Sequence, residues 1–135
     1  AAPRRVCCSA RPRSSTGWDS TDAVRGECYS ALLADTIFAP SPPANVHVEC
    51  YRTYEALECG AIPVVDTDYY RTQFEAPFPA VESDWSDAPE ILNRILDDPP
   101  ALEELQQRTS QWWEDVKQTY PERIRALARQ ARTSA

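Results

Sequence analysis

The sequence predicts an α/β protein, with a partial parallel sheet followed by a helical C-terminal end. Three observations predict it. Two short apolar runs, Thr36–Ala39 and Ala61–Val65, each stop at a proline or an acidic residue. Between them, Glu49–Cys59 repeats its apolar positions at offsets of three and four, the helical period. From Asp87 onward the chain reads as helix. A strand–helix–strand order with a crossover of this length requires parallel strands and a right-handed unit. Only two strands are legible, too few for a complete doubly wound sheet, so the segment reads as part of a larger domain.

Taken in order, residues 1–20 are a disordered basic tail, rich in Pro and Ser, and residues 21–135 are the folded portion. Residues 22–35 put Val24, Cys28, Ala31 and Leu32 on one helical face. Thr36–Ala39 is a buried strand that stops before Pro40, and the proline-rich run 40–47 is a loop. Glu49–Cys59 makes about three helical turns, aligning Tyr51, Tyr54, Leu57 and Glu58, with Gly60 where a helix-stopping glycine belongs. Ala61–Val65 is a strand buried on both faces, with a proline near its start. Residues 67–83 read as irregular. A helix follows over Asp87–Leu96, with Ser86 as N-cap and Pro89 in the first turn. Pro99-Pro100 is expected to break it, with a long helix from Ala101 to about Tyr120. Pro121 then opens a further helix to Ala131.

Composition removes several function classes. Glycine occurs only at positions 17, 26 and 60, which excludes a P-loop and a GxGxxG dinucleotide loop. No long apolar run is present, so neither a transmembrane helix nor a signal segment is expected. The net charge is −7. Between two arginine-bearing ends, residues 19–122 hold 6 basic and 21 acidic residues, a net of −15. Such a domain repels phosphate backbones, so nucleic acid is excluded as a partner. The five cysteines, Cys7, Cys8, Cys28, Cys50 and Cys59, contain no CxxC pair, so zinc-ribbon and thioredoxin-type chemistry lack their spacing. One or two disulfides remain compatible with a secretory chain. The start at Ala-Ala-Pro and the lack of methionine lead us to expect a fragment or a processed product.

The informative stretch is Glu49–Val65. A proline-rich loop leaves a strand and enters a helix, and in an open α/β sheet that turn faces the ligand crevice at the strand carboxyl ends. A helix N-terminus there offers amide N–H groups and a positive dipole end to a phosphate. Arg52, in the first turn, adds a planar guanidinium fork. Glu55, one turn on, can accept hydrogen bonds from two vicinal ribose hydroxyls. Together they can hold the two ends of a nucleoside diphosphate. The plain alternative is a surface ion pair at i, i+3, worth a few tenths of a kcal/mol.

The string ECYRxYEAxxxGxIPVV resembles the donor-binding signature of exostosin-type GT-B glycosyltransferases, with xylosyltransferases the nearest in likeness. The match runs over roughly residues 28–127, through Ala76-Pro77-Phe78, Asp84-Trp85, Gln111-Trp112-Trp113 and Lys117. The resemblance implies a Rossmann-like sheet forming the C-terminal half of a GT-B enzyme. It implies an inverting transfer of a sugar, with xylose the candidate, from a UDP-sugar to a glycan or glycoprotein acceptor. Glu55 would then bind the ribose. Arg52 would contact the diphosphate and stabilise the leaving-group charge, the catalytic role. Glu49 would sit at the sugar or diphosphate end, and His47 would approach the phosphates. Direct displacement needs a general base, which in GT-B enzymes comes from an N-terminal acceptor domain that this chain lacks. The isolated chain is therefore expected to be inactive. The family also implies a Golgi lumenal location.

Other readings stand beside these. Asp66-Thr67-Asp68 after an apolar strand mimics the metal-binding DxD of GT-A transferases, although the helix motif belongs to a metal-independent architecture, so no cofactor or metal is expected. Asp66 lines the crevice by position even so. His47-Val48-Glu49 matches the HxE of zinc deaminases but lacks the downstream PCxxC. As the chain's only histidine, His47 has no relay partner, and a solvated loop histidine is its ordinary reading. Tyr51 and Tyr54 read equally well as core residues. Cys50 and Cys59 read as buried small residues. Asp97-Asp98 and Glu103-Glu104 read as solvated helix ends, and one of Trp112 and Trp113 as core. Outside catalysis, the same residues suit a non-catalytic α/β binding or scaffold domain, or an inactive truncated product.

Overall fold

The computed structural model describes residues 26–43, 50–66 and 78–133. They form a mixed α/β arrangement, mostly helical. The elements are α1 (Gly26–Ala34), β1 (Phe38–Pro40), α2 (Tyr51–Glu58), β2 (Ile62–Val65), β3 (Val81–Glu82), α3 (Ala88–Leu96) and α4 (Pro99–Thr133). The three strands make one parallel sheet in the order β1-β2-β3. Phe38 lies opposite Ile62 and Pro40 opposite Val64, while Val64 lies opposite Val81 and Val65 opposite Glu82. The basic tail and the loop from Ala44 to Glu49 fall outside the described residues.

β2 is central because every one of its residues is apolar and inaccessible, as a strand covered on both faces requires. Its proline is tolerated for a specific reason. Ile62 N–H donates to Ile37 O, and Val64 O accepts from Ser41 N–H, each at 2.8 Å, so those two residues bond toward β1. Pro63 faces the other side, where β3 begins only at the level of Val64, and its missing N–H falls just before the ladder starts. Pro40 ends β1 rather than lying beyond it. Because Ser41 turns toward β2, the Pro40 nitrogen faces away from the ladder and no bond is lost. The stretch read as irregular ends in β3, whose two residues are strand only through their pairing with β2.

Alternate residues of β2 feed different clusters. Val65 packs with Leu57, Phe78 and Trp112. Ile62 and Val64 pack with Val81, Ala88 and Leu105. A third cluster joins Leu33, Ala39, Ala56 and Ala61. Complete burial of a Val or Ile contributes about 1.5–3 kcal/mol, so the sheet centre is where most of the stability gathers. α1 meets the body through Tyr29 and Leu33, one helical turn apart. The face expected from the sequence was offset by one position, since Leu32 is half exposed and Ala31 lies on the surface.

The helical end differs from expectation at four points. Asp87, not Ser86, occupies the N-cap of α3, and the Ser86 hydroxyl donates to the Asp87 carboxylate. The preceding helix does stop at Leu96, ahead of Pro99-Pro100, but the next one starts at Pro99 and not at Ala101, because missing amide protons cost nothing in a first turn. Asp98, read as a solvated end, accepts from the Ala101 N–H at 3.2 Å and so caps that helix. Pro121 lies inside α4, which runs 35 residues, roughly 50 Å at 1.5 Å per residue. α4 is held where it touches the body. Thr109, buried, places its hydroxyl within reach of Leu105 O and Pro79 O. Beyond Pro121 the helix leaves the core, with Ile124 and Leu127 exposed.

Candidate functional site

The sequence-predicted site is centred on α2. Its N-cap, Cys50, is extended (φ −127, ψ 135) and gives no side-chain cap, and the first turn carries no acid. The first turn is closed by main chain instead, the Thr53 N–H donating to Cys50 O at 3.1 Å. At the other end Gly60 adopts φ 81, the left-handed turn that stops the helix and returns the chain into β2. Ala61 N–H donates back to Ala56 O at 2.9 Å.

Arg52 and Glu55 are both exposed. The Arg52 guanidinium lies 3.9 Å from the Cys50 sulfur. Among the described residues Arg52 and Glu55 make no ion pair with each other, so the plain i, i+3 pair is not what occupies them. Tyr29 of α1 packs on the cluster of Leu33 and Ala56. Burial is the largest cause that raises its phenol above the ordinary value, Glu55 raises it further, and Arg52 opposes them. Cys50 and Cys59 also act on it. The packing of α1 on α2 thus brings the phenol within the electrostatic range of both charges. Tyr29 was not singled out from the sequence. Its only signal is its position one turn before Leu33, on the face that meets α2.

The remaining expectations divide. Glu49, His47, Thr67 and Asp68 lie outside the described residues. Tyr51 is 87% exposed and takes no part in the core, whereas Tyr54 packs on the Leu57–Trp112 cluster and tilts against Trp113 at 6.0 Å. Cys50 is buried and Cys59 half-buried, and among the described residues no disulfide joins Cys28, Cys50 and Cys59 to one another. Trp112 is the core tryptophan, edge-on to Phe78 at 5.0 Å. Trp113 is half-buried and donates its N–H to Glu58 at 2.6 Å. Lys117 bridges Glu58 and Glu114 at 3.3 and 2.7 Å. The Trp113 hydrogen bond, and then Lys117, hold the Glu58 carboxyl below its ordinary value. This assembly ties α2 to α4 and sits apart from Arg52 and Glu55 in role: its charges are already partnered.

Asp66 follows β2 directly, at the carboxyl edge of the sheet. Its Oδ2 accepts from the Trp85 indole N–H at 2.5 Å. Its Oδ1 is buried with no hydrogen-bond partner among the described residues. Among these residues no group of three or more His, Cys, Asp or Glu side chains comes together to hold a metal ion. No described helix is long and apolar enough to cross a membrane.

The chain was compared with protein-family models, curated proteins and solved structures, and none of the three yielded a match.

Proposed function

We propose that this chain is the C-terminal, donor-binding portion of an exostosin-type GT-B glycosyltransferase that transfers a sugar, with xylose the candidate, from a UDP-sugar to a glycan acceptor with inversion. The supporting observation is the position of the N-terminal half of α2, which carries Arg52 in its first turn and Glu55 just after it and follows β1 in a parallel β1–α2–β2 unit. That turn belongs to the carboxyl edge of the sheet, where ligands of open α/β sheets bind. The positive end of the helix dipole and Arg52 suit a diphosphate. Glu55, without an ion pair among the described residues, suits ribose hydroxyls. Arg52 then carries the catalytic role, stabilising charge on the departing diphosphate. Metal chemistry is not required by this arrangement. Glu49 and His47 complete the donor contacts in this reading. The base and the acceptor surface belong to a further domain, and the site of action would be the Golgi lumen.

A second reading, a non-catalytic binding or scaffold domain, draws on the exposure of Arg52 and Glu55, which suits a solvated helix face equally. Calorimetry with UDP separates the two. The donor site requires millimolar or tighter binding that Glu55→Ala abolishes. Absence of heat at high UDP concentration favours the scaffold.

A further inference from the structure

We propose that Asp66 and Trp85 form the contact for the sugar ring of the donor, an inference that rests on the donor-site reading above. β2 and β3 run parallel with Val65 opposite Glu82, so Asp66 and the Ser83–Trp85 segment leave the sheet side by side at its carboxyl edge. Ser83 N–H still donates to Val65 O at 2.9 Å, which extends the pairing one residue beyond β3. The Trp85–Asp66 hydrogen bond then joins positions 19 apart in sequence and fixes the indole by its N–H edge.

Two unmet requirements meet there. A carboxylate is acceptor-only and each oxygen takes more than one donor. Asp66 Oδ1, buried and without a partner among the described residues, needs an incoming hydrogen-bond donor, since a buried unsatisfied acceptor is costly. Trp85 remains 39% exposed although its polar atom is satisfied, so the exposed remainder is apolar ring. The complementary ligand carries hydroxyl donors beside an apolar C–H face, which describes a sugar ring. A phosphate carries only acceptors and negative charge and is repelled by Asp66, so the diphosphate stays with Arg52 and α2. A uracil edge is a poorer fit. Its single imide N–H lies between two carbonyls whose lone pairs would face the carboxylate, whereas sugar hydroxyls rotate to donate.

The test is calorimetric titration of the full 135-residue chain with uridine, UDP and UDP-xylose. It is repeated on Asp66→Asn, Trp85→Ala and the milder Trp85→Phe, with circular dichroism confirming that each variant folds. UDP-xylose should bind the parent chain more tightly than UDP does. Asp66→Asn and Trp85→Ala should weaken UDP-xylose about tenfold, as loss of a buried hydrogen bond or an aromatic contact does, while UDP stays within about twofold. If Trp85→Ala does not fold, Asp66→Asn and Trp85→Phe carry the same comparison. Equal weakening of uridine, UDP and UDP-xylose, or no change in any, overturns the sugar contact and leaves the donor site standing. Failure of the parent chain to bind UDP or UDP-xylose overturns the donor-site reading and this inference with it.

Discussion

On its inner face α2 presents Thr53, Ala56 and Leu57, all nearly inaccessible, and on its outer face it presents Tyr51, Arg52 and Glu55, all exposed. The inner side chains pack on β2 and on the Trp112 cluster, where a change of one methylene is felt. Of the outer side chains, Arg52 reaches the Cys50 sulfur at 3.9 Å, and Arg52 and Glu55 act electrostatically on the Tyr29 phenol. One eight-residue helix therefore has a packed face and a solvated face, and the proposed donor site uses the second. Substitutions inward should alter stability, and substitutions outward should alter ligand affinity and leave stability nearly unchanged.

The largest expected effect is on the inner side. Trp112 is 7% exposed and makes the edge-on contact with Phe78 that closes the cluster around Val65 and Leu57. Trp112→Ala should destabilise the chain by about 3–5 kcal/mol, read as a large fall in the urea midpoint. Glu55→Ala, which the donor reading requires to abolish UDP binding, should move the same midpoint by no more than about 0.5 kcal/mol. If both substitutions cost similar stability, the two faces are not independent.

The turn that joins the faces gives an intermediate effect. Gly60 sits at φ 81, and a methyl group added there would meet nothing within 4 Å. Any cost of Gly60→Ala is therefore conformational and not steric, about 1–2 kcal/mol for a left-handed L-residue. The urea midpoint should fall with an unchanged m-value. An unaffected midpoint would mean that the turn relaxes and that α2 is not fixed against β2 as described.

What could be read from the sequence follows from how far each cue reaches along the chain. The four apolar residues of β2 and the glycine that ends α2 are local signals, and both stand where expected. β3 has two residues, too few to show alternation, and owes its identity to a neighbour sixteen or more positions earlier. In α1 the choice between Leu32 and Leu33 depends on a single-residue offset that only packing decides. Pro99-Pro100 is both a break and a helix start: one helix stops at Leu96 and the next begins at Pro99 behind the Asp98 cap. At the site, Arg52 and Glu55 are adjacent in a motif and could be picked out. Tyr29 and the Asp66–Trp85 bond join separate elements, and no spacing rule connects them. Trp113 and Lys117 share a structural partner in Glu58 on another helix, which their own spacing does not reveal.

The smallest effect is also the most direct probe of the outer face. Burial and Glu55 raise the Tyr29 phenol above its ordinary value of 10.0, while Arg52 lowers it. Removing one charge at a time should therefore move the titration in opposite directions: Glu55→Gln downward and Arg52→Gln upward. The measurement is the phenolate absorbance on raising pH, with Tyr29→Phe subtracted to isolate this residue from the other five tyrosines. The stability consequence has a fixed sign. A phenol whose pKa is higher in the folded chain contributes stability that is complete below 10.0 and is lost as pH rises through the folded value. The parent chain should weaken on the alkaline side, and Glu55→Gln should weaken less there than Arg52→Gln. If neither substitution moves the Tyr29 titration, α1 does not bring its phenol to the two charges, and the outer face of α2 reduces to isolated side chains in water.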